Sequence, residues 1–342
     1  MPASPLTPVT VLTGFLGSGK TTLLNRMVAD ARYADTAVVI NEWGEIAIDH
    51  ALVREGGENV VVLPSGCICC RVAGDLVVAL RDLHARRAAG SVPAFARVVV
   101  ETSGLADPAP LLATLIELPV VAARYALSGI VTTVDAELGM ATLDSHPEAV
   151  KQAALADRLV VTKVDRVSGA GIAALEERLR ALNPGATMLR SVNGDADPAA
   201  LFDTGLYRGA ALATDASGWL NAGAYRRFGE PRADRHDPRI VSFVWRREEP
   251  LAWDDLEAGL EALLEVCGAK ILRLKGLVAV AGEPGPRAVH AVQHALYPAA
   301  RLLNWPDADR STRLVFIGRD LEETRVAQIL ESFVPPAASI PR

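Results

Sequence analysis

A glycine-rich segment near the start of the chain constrains the fold more than any other feature. The segment, which we call the phosphate loop, fits the pattern G-x-x-x-x-G-K-[ST] through Gly14, Gly17, Ser18, Gly19, Lys20 and Thr21. The apolar run Val9–Thr13 precedes it, and an amphipathic stretch, Thr22–Arg32, follows it. In such a strand–loop–helix unit, loop amides surround phosphates, a Lys neutralises phosphate oxygens and a Thr hydroxyl ligates Mg²⁺. The segment therefore predicts a nucleotide site, with Thr22 completing its phosphate contacts.

Apolar, β-branched runs alternate with helical patterns through the first two hundred residues, which is typical of a parallel sheet covered by helices on both faces. We therefore predict an α/β fold in which residues 1–213 form a doubly wound, mostly parallel P-loop sheet. The polar, turn-rich residues 214–238 are typical of a linker. Beyond them, residues 239–336 combine alternating and amphipathic stretches, which predicts a smaller α+β domain.

Charge and hydropathy narrow the class of protein. The net charge is −6 and no basic block occurs, which argues against nucleic acid and anionic membranes as partners. The sequence shows no apolar run of about eighteen residues and no export signal at its start. We therefore expect a cytoplasmic protein whose thiols stay reduced.

A predicted strand, Arg97–Val100, ends in the sequence Glu101-Thr102-Ser103-Gly104. Glu101 is suited to order a metal-bound water on the magnesium side of the site, and the Gly104 amide is suited to sense a γ-phosphate. An ordinary Glu at a strand end is the alternative interpretation. Asp107, which comes before Pro108, is interpreted as a helix cap.

The segment Thr162–Asp165 follows another predicted strand and bears on the choice of base. Asp165 is able to accept two hydrogen bonds from guanine, at N1–H and the 2-amino group, whereas adenine lacks that donor pair. Lys163 would pack its stem along the base. GTPases commonly have Asn where Thr162 stands, so we expect a weaker tie to the phosphate loop. The segment Ser191–Asn193 is a candidate for contacts to the guanine oxygen, with a plain loop turn equally compatible.

Three of the four cysteines, Cys67, Cys69 and Cys70, lie within one short segment. Such closely spaced thiols in a reducing compartment indicate metal binding or redox chemistry rather than a disulfide framework. Thiolates suit Zn²⁺, and Co²⁺ accepts the same tetrahedral site, so ligand type alone does not choose between these ions. Cys267, at the end of an apolar helical stretch, is interpreted as buried filler.

Two carboxylates follow the second predicted strand, in the segment Asn41–Glu45, where GTPases place a switch. Glu42 and Glu45 are candidates to join the Mg²⁺ shell or the thiolate site. Solvated loop carboxylates are the alternative.

Taken together, these segments resemble the CobW-like metallochaperone GTPases. The resemblance is carried by the phosphate loop, Asn41–Glu45, the Gly66–Cys70 motif, Glu101–Pro108 and Thr162–Asp165. Arg273–Gly276, Trp305 and Val315–Arg319 resemble the family's C-terminal domain. The resemblance implies hydrolysis of GTP, with Lys20, Thr21 and Glu101 as the catalytic residues. It also implies delivery of zinc or cobalt to a metal-requiring client protein, and a homodimer is one possible assembly.

The sequence is also compatible with three other functions. The first is delivery of cobalt by a GTPase for cobalamin biosynthesis, and the second is a metal-responsive regulator or storage protein. The third is an ATP-using kinase, which Asp165 disfavours. A histidine-rich linker is common in the family, but residues 214–238 contain a single histidine, so metal storage there is not expected.

Two sets of residues in the C-terminal part are not expected to bind metal or nucleotide. His290 and His294 are four residues apart and are interpreted as sharing a helix face, more as filler than as metal ligands. Arg273, Lys275 and Arg319 are interpreted as solvated surface rather than as ligand contacts.

Overall fold

The structure is a computed structural model that describes residues 6–40, 60–62, 71–202, 207–208, 211–212, 220–230 and 239–334. The predicted metal ligands Cys67, Cys69, Cys70 and Glu42, together with Glu45, lie outside the described residues. The chain divides into two compact units, one comprising Met1–Leu179 with Ala186–Ala213 and the other Arg180–Gly185 with Thr214–Arg342.

The first unit contains a seven-stranded parallel sheet with the order β3-β2-β4-β1-β5-β6-β7. Its strands are β1 Thr7–Gly14, β2 Thr36–Ile40, β3 Val60–Val62, β4 Arg97–Glu101, β5 Tyr125–Asp135, β6 Arg158–Thr162 and β7 Thr187–Ser191. Because the strand order reverses about β1, the doubly wound α/β fold predicted from the sequence is confirmed.

The helices of this unit are amphipathic or apolar segments between the strands. They are α1 Lys20–Ala29, α2 Arg71–Ala88, α3 Ala109–Glu117, α4 Pro119–Ala122, α5 Gly139–Ser145, α6 Pro147–Leu155, α7 Gly169–Leu182 and α8 Pro198–Phe202. A two-stranded ribbon, β8 Tyr207–Arg208 and β9 Ala211–Leu212, completes the described part. The short helices α4 and α5 were not predicted.

Helix α1 is shorter than its apolar pattern predicts, because Asp30 stops it. Asp30 takes an extended conformation, and its side chain accepts a hydrogen bond from the Arg32 amide at 2.9 Å. A short 3-10 helix, Ala31–Tyr33, follows instead of a further α-helical turn. At its other end, α1 begins at Lys20, inside the phosphate loop.

Four central strands place polar residues at one edge of the sheet. Strands β1, β4, β5 and β6 end at Gly14, Glu101, Asp135 and Thr162. Parallel strands have their carboxyl ends at the same edge, and that edge is where doubly wound folds bind ligands. The fold therefore gathers the predicted phosphate, magnesium and base residues.

The second unit is an antiparallel sheet covered by two helices. Its path runs β10-β15-β11-β12-β13, and β14 pairs with β12. The strands are β10 Ile240–Arg247, β11 Ile271–Val278, β12 Arg287–Val292, β13 Ala295–Leu296, β14 Ala300–Arg301 and β15 Thr312–Arg319. The helices are α9 Trp253–Cys267 and α10 Glu323–Phe333. Phe243 and Phe316 stack at 5.1 Å between ring centroids in the core, and Leu260 belongs to the same buried cluster.

The interpretation of His290 and His294 as neighbours on a helix is wrong. His290 lies in β12, which pairs with β11 so that His290 is opposite Lys275. His294 follows the strand, and its Nδ1 lies 2.9 Å from the Leu264 carbonyl oxygen at the end of α9. The alternation of residues 287–292 suits a strand because one side chain in two faces the helices.

The interpretation of Arg273 and Lys275 as solvated surface is also wrong. Their relative exposures are 3% and 7%, and both lie in β11. Arg319, at the end of β15, is half-buried.

An ion-pair network closes the loop before β15. Asp309 accepts hydrogen bonds from Ser311 at 2.6 Å and from Arg246, and it lies 3.3 Å from Arg313. Burial opposes the charge on Asp309, but the bonds from Ser311 and Arg246 and the charge of Arg313 hold its pKa well below the ordinary value.

Residues 220–230, within the expected linker, run beside the second sheet. They include a short 3-10 helix, Ala222–Ala224, and Arg227 forms a parallel bridge with Val244 of β10. In the described parts of the chain, no helix has the length and apolar character required to cross a membrane.

Candidate functional site

The phosphate loop takes a conformation that requires glycine. Gly17 and Gly19 have φ of 69° and 92°, in the left-handed region that side chains avoid. At Gly14, a Cβ atom would lie 2.3 Å from Thr133 Oγ1 and 2.5 Å from the Thr133 carbonyl oxygen. The loop therefore passes too close to β5 for any side chain at Gly14.

The side chain of Lys20 lies against the backbone of this loop. Its Nζ donates hydrogen bonds to the carbonyl oxygens of Gly14 at 3.0 Å and Phe15 at 3.2 Å. The side chain is largely buried. Its ammonium group is thus held against the backbone that is predicted to surround phosphates, as the sequence pattern requires.

Hydroxyl groups fix the loop to the strands beneath it. Ser18 Oγ lies 2.7 Å from Thr133 Oγ1, and Thr102 Oγ1 lies 2.7 Å from Thr13 Oγ1. All four residues are buried. Because buried hydrogen bonds of this kind are costly to leave unmade, the first contact restrains the loop relative to β5, and the second restrains the end of β1, just before the loop, relative to the residue that follows β4.

Thr21 and Glu101 meet at the start of α1. Thr21 Oγ1 donates a hydrogen bond to Glu101 Oε1 at 2.8 Å, and Glu101 is 1% exposed. A hydroxyl and a carboxylate are hard oxygen donors of the kind that Mg²⁺ prefers. The two residues predicted from separate motifs are therefore brought together, and their donor set fits magnesium.

Residues 102–107, which we call the Gly104 turn, follow Glu101 and pass next to the phosphate loop. A Cβ atom at Gly104 would lie 2.6 Å from the Leu16 backbone nitrogen. At the end of the turn, Asp107 Oδ1 accepts from the Ala109 amide at 3.0 Å and so satisfies an N–H group at the start of α3, but the N-cap residue of that helix is Pro108 rather than Asp107. Asp107 Oδ2 also pairs with Lys151 Nζ at 2.6 Å.

The segment Thr162–Asp165, which is predicted to bind the base, is connected directly to the phosphate loop. Thr162 Oγ1 lies 2.8 Å from the Ser18 carbonyl oxygen and 3.3 Å from that of Val134, and the geometry favours Ser18 as its acceptor. The tie that we expected to be weaker with Thr than with Asn is therefore present. Asp165 lies in a 3-10 helix, Val164–Arg166, and its side chain is exposed to solvent.

A residue that the sequence reasoning missed, Asp135, holds Lys163. Lys163 has φ of 56°, and its Nζ lies 2.5 Å from Asp135 Oδ2. The other oxygen, Asp135 Oδ1, accepts from the Glu137 amide at 2.8 Å. Asp135 is a carboxylate at the end of β5, next to the strand that ends in Thr162, and that position is the sequence feature from which its role could have been predicted.

The turn at Asn193 and Gly194, at the end of the predicted segment Ser191–Asn193, approaches the start of α1. Asn193 and Gly194 have φ of 50° and 77°, and a Cβ atom at Gly194 would lie 2.7 Å from the Thr22 carbonyl oxygen. The turn is thus packed against a residue predicted to contact phosphate.

The described residues contain no cluster of three or more His, Cys, Asp or Glu side chains suited to a metal ion. Cys267 is a free thiol in the core of the second unit, as expected of filler, and burial raises its pKa.

Comparison with known proteins finds a matching family for each of the two parts of the chain. Residues 8–190 match the CobW/HypB/UreG nucleotide-binding domain. Residues 240–334 match the C-terminal domain described as that of the cobalamin synthesis protein cobW.

Similar proteins span almost the whole chain. The zinc chaperone YjiA of Escherichia coli is 34% identical over 322 residues, covering 93% of this chain and 96% of that protein. The zinc-regulated GTPase metalloprotein activator 1 of Saccharomyces cerevisiae is 26% identical, covering 94% of this chain and 82% of its own length. The crystal structure of Zn(II)-bound YjiA GTPase from E. coli has a TM-score of 0.66 at 26% identity, covering 96% of this chain and 99% of that one.

Proposed function

Because the chain belongs to the CobW/HypB/UreG family, we propose that it is a GTPase that binds a transition metal, zinc first, and transfers it to a client protein. We assign residues 1–213 to the GTPase domain, 214–238 to a linker and 239–336 to the C-terminal domain. We propose a reducing compartment such as the cytoplasm as its location, because thiolates that bind a metal must stay reduced.

One observation carries the GTPase part of the proposal, namely the contact of Thr21 Oγ1 with Glu101 Oε1 at 2.8 Å beside the phosphate loop. It combines a helix N-terminus, which attracts phosphate, with two oxygen ligands for the accompanying cation. In this proposal Lys20, Thr21 and Glu101 are the catalytic residues. The nucleotide contacts are Gly14, Gly17, Ser18, Gly19, Lys20, Thr21, Thr22, Gly104, Thr162, Lys163 and Asp165.

Thr21 and Glu101 are the residues that would hold Mg²⁺. When bound, the ion supplies neutralisation of the charge that develops on the phosphate oxygens. The chain's own residues would do the remaining work: Lys20 would orient the phosphates, Glu101 would order a metal-bound water molecule, and the Gly104 amide would contact the γ-phosphate.

Guanine selection rests on Asp165. Its carboxylate is exposed to solvent and is therefore accessible to accept the two guanine donors. The hydrogen bond from Thr162 to the Ser18 carbonyl oxygen connects the segment proposed to bind the base to the phosphate loop.

The metal part of the proposal rests on the thiol motif and on the relatives. Two of Cys67, Cys69 and Cys70 together with Glu42 would hold zinc as cargo, because a site with three protein ligands leaves a fourth position open for transfer. The similarity to a zinc chaperone over 93% of the chain supports zinc before cobalt.

We further propose that nucleotide state controls this site through Asn41–Glu45. If that segment contacts both the Mg²⁺ shell and the thiolates, hydrolysis changes zinc affinity, because both ligands bias the same element.

Delivery of cobalt for cobalamin biosynthesis is the second candidate, favoured by the description of the matching C-terminal domain. Competitive titration of Zn²⁺, Co²⁺ and Ni²⁺ in the presence of GTP and Mg²⁺ separates the two candidates. We expect zinc to bind tightest and Cys69→Ala to weaken that site. A tightest site for cobalt supports the second candidate, and an unchanged zinc site in Cys69→Ala contradicts the thiolate assignment.

A further inference from the structure

The Gly104 turn is held by a side chain that lies outside every motif, that of Gln152. Gln152 lies in α6 and is 1% exposed. Its Nε2 donates to the Ala106 carbonyl oxygen at 3.0 Å and to the Gly104 carbonyl oxygen at 3.2 Å. Both hydrogens of one amide group are therefore used on two peptide groups of the same turn.

The helix that carries Gln152 is itself fixed. Thr132 Oγ1 of β5 donates to the Gln152 backbone carbonyl at 2.8 Å. The neighbouring Lys151 pairs with Asp107 at the end of the turn. Helix α6 therefore holds the turn at three points while it is anchored to the central sheet.

The turn lies between this helix and the phosphate loop. Gly104 approaches the Leu16 backbone closely, and Gln152 lines a cleft of about 360 Å³, open to solvent, whose walls also include Leu16 and Ser18. A displacement of the turn toward or away from α6 thus changes its distance from the loop.

We propose that Gln152 is a positioning residue for GTP hydrolysis, which orients the Gly104 turn so that the Gly104 amide faces the γ-phosphate. This inference rests on the proposed GTPase function. Gln152 fixes the peptide that carries the Gly104 carbonyl. Because glycine has the largest conformational freedom of any residue, holding the peptide on one side of Gly104 is needed to limit the orientation of the peptide on its other side, which carries the Gly104 amide.

The chemistry of the side chain suits this role. A carboxylate at position 152 would have no hydrogen to donate, and an ammonium would bury an unpaired charge beside two carbonyl groups. A primary amide supplies two donors and stays neutral when it is fully buried.

The test compares Gln152→Glu and Gln152→Met with wild type in full-length protein. We expect kcat for GTP to fall roughly tenfold to thirtyfold in both variants, the effect of two neutral hydrogen bonds. GDP affinity should stay within about twofold, because the turn faces the γ-phosphate that GDP lacks. Gln328→Glu, the same chemical change at an exposed position of α10, is the matched control and should behave as wild type.

A pH profile separates positioning from general damage. Protonation restores one donor to Gln152→Glu, so its deficit relative to wild type should shrink as the pH falls from 8 toward 6, while that of Gln152→Met stays constant. The inference is overturned if kcat is unchanged, if GDP affinity falls as much as kcat, or if the deficit of Gln152→Glu does not depend on pH. If wild type itself does not hydrolyse GTP, the proposed function fails first.

Discussion

Replacement of Gly104 by Ala tests whether the close approach of the Gly104 turn to the phosphate loop is required for hydrolysis. The new Cβ would lie 2.6 Å from the Leu16 nitrogen, 2.7 Å from Leu16 Cδ2 and 2.8 Å from Leu16 Cα. Two of these atoms are backbone atoms, so a side-chain rotation does not relieve the overlap. The turn or the loop must move by several tenths of an ångström.

The size of the effect follows from that displacement. Forcing extra volume into a packed contact costs about 1–3 kcal/mol. A misplacement of about 1 Å near reacting groups costs up to roughly 100-fold in rate. We therefore expect kcat for GTP to fall roughly tenfold to 100-fold in Gly104→Ala.

Single-turnover hydrolysis of GTP, with thermal unfolding measured in parallel, is the appropriate assay. Gly169→Ala is the control, because its Cβ would meet no atom within 4 Å at the start of α7. A Gly104→Ala protein with wild-type kcat and wild-type stability would refute the argument, since the overlap would then have been absorbed without consequence.

Three further predictions concern other parts of the molecule. Thr162→Val leaves the buried Ser18 carbonyl without its donor and should lower the free energy of unfolding by about 1–3 kcal/mol, with Thr162→Ser close to wild type in thermal unfolding. Asp165→Asn should weaken GTP binding roughly 100-fold and improve binding of xanthosine triphosphate, measured by nucleotide titration, because xanthine presents an acceptor where guanine has its 2-amino donor. The pKa of Asp309 is depressed in the folded state, so its contribution to stability is complete above about pH 4 and is lost as the pH falls toward that lower pKa. Acid unfolding between pH 5 and 2 should therefore be steeper for wild type than for Asp309→Asn.

The sequence was sufficient to predict the parallel sheet because its central strands are apolar, β-branched runs. The runs Val9–Thr13 and Arg97–Val100 predicted β1 and β4 to within two residues at each end. Such runs are buried on both faces and differ clearly from the amphipathic helices between them.

The second sheet was harder to predict because its strands are defined by distant partners. Strand β12 mixes Arg, Ala, Val and His, and its pairing with β11 rather than its own propensity makes it a strand. The burial of Arg273 and Lys275 has the same origin, since charged residues are expected in water unless the fold covers them.

The residues proposed to bind phosphate and base could be selected from the sequence because each lies in a local motif with a known chemical purpose. The residues that hold these side chains and loops in place could not be predicted from the sequence. Gln152 reaches Gly104 across 48 positions and Thr162 reaches Ser18 across 144, and no local pattern records either contact. Asp135 holds Lys163 in the same way, from the end of a neighbouring strand.

Zinc affinity in the two nucleotide states is the most direct test of the central claim. Competition titrations should compare the protein loaded with a non-hydrolysable GTP analogue and Mg²⁺ with the protein loaded with GDP and Mg²⁺, using Cys69→Ala as the control for the thiolate site. Coupling between two sites of this kind is typically about 5- to 150-fold. We predict that zinc binds at least fivefold more tightly in the GTP-analogue state and that this difference disappears in Cys69→Ala. Equal zinc affinity in the two states would contradict the account.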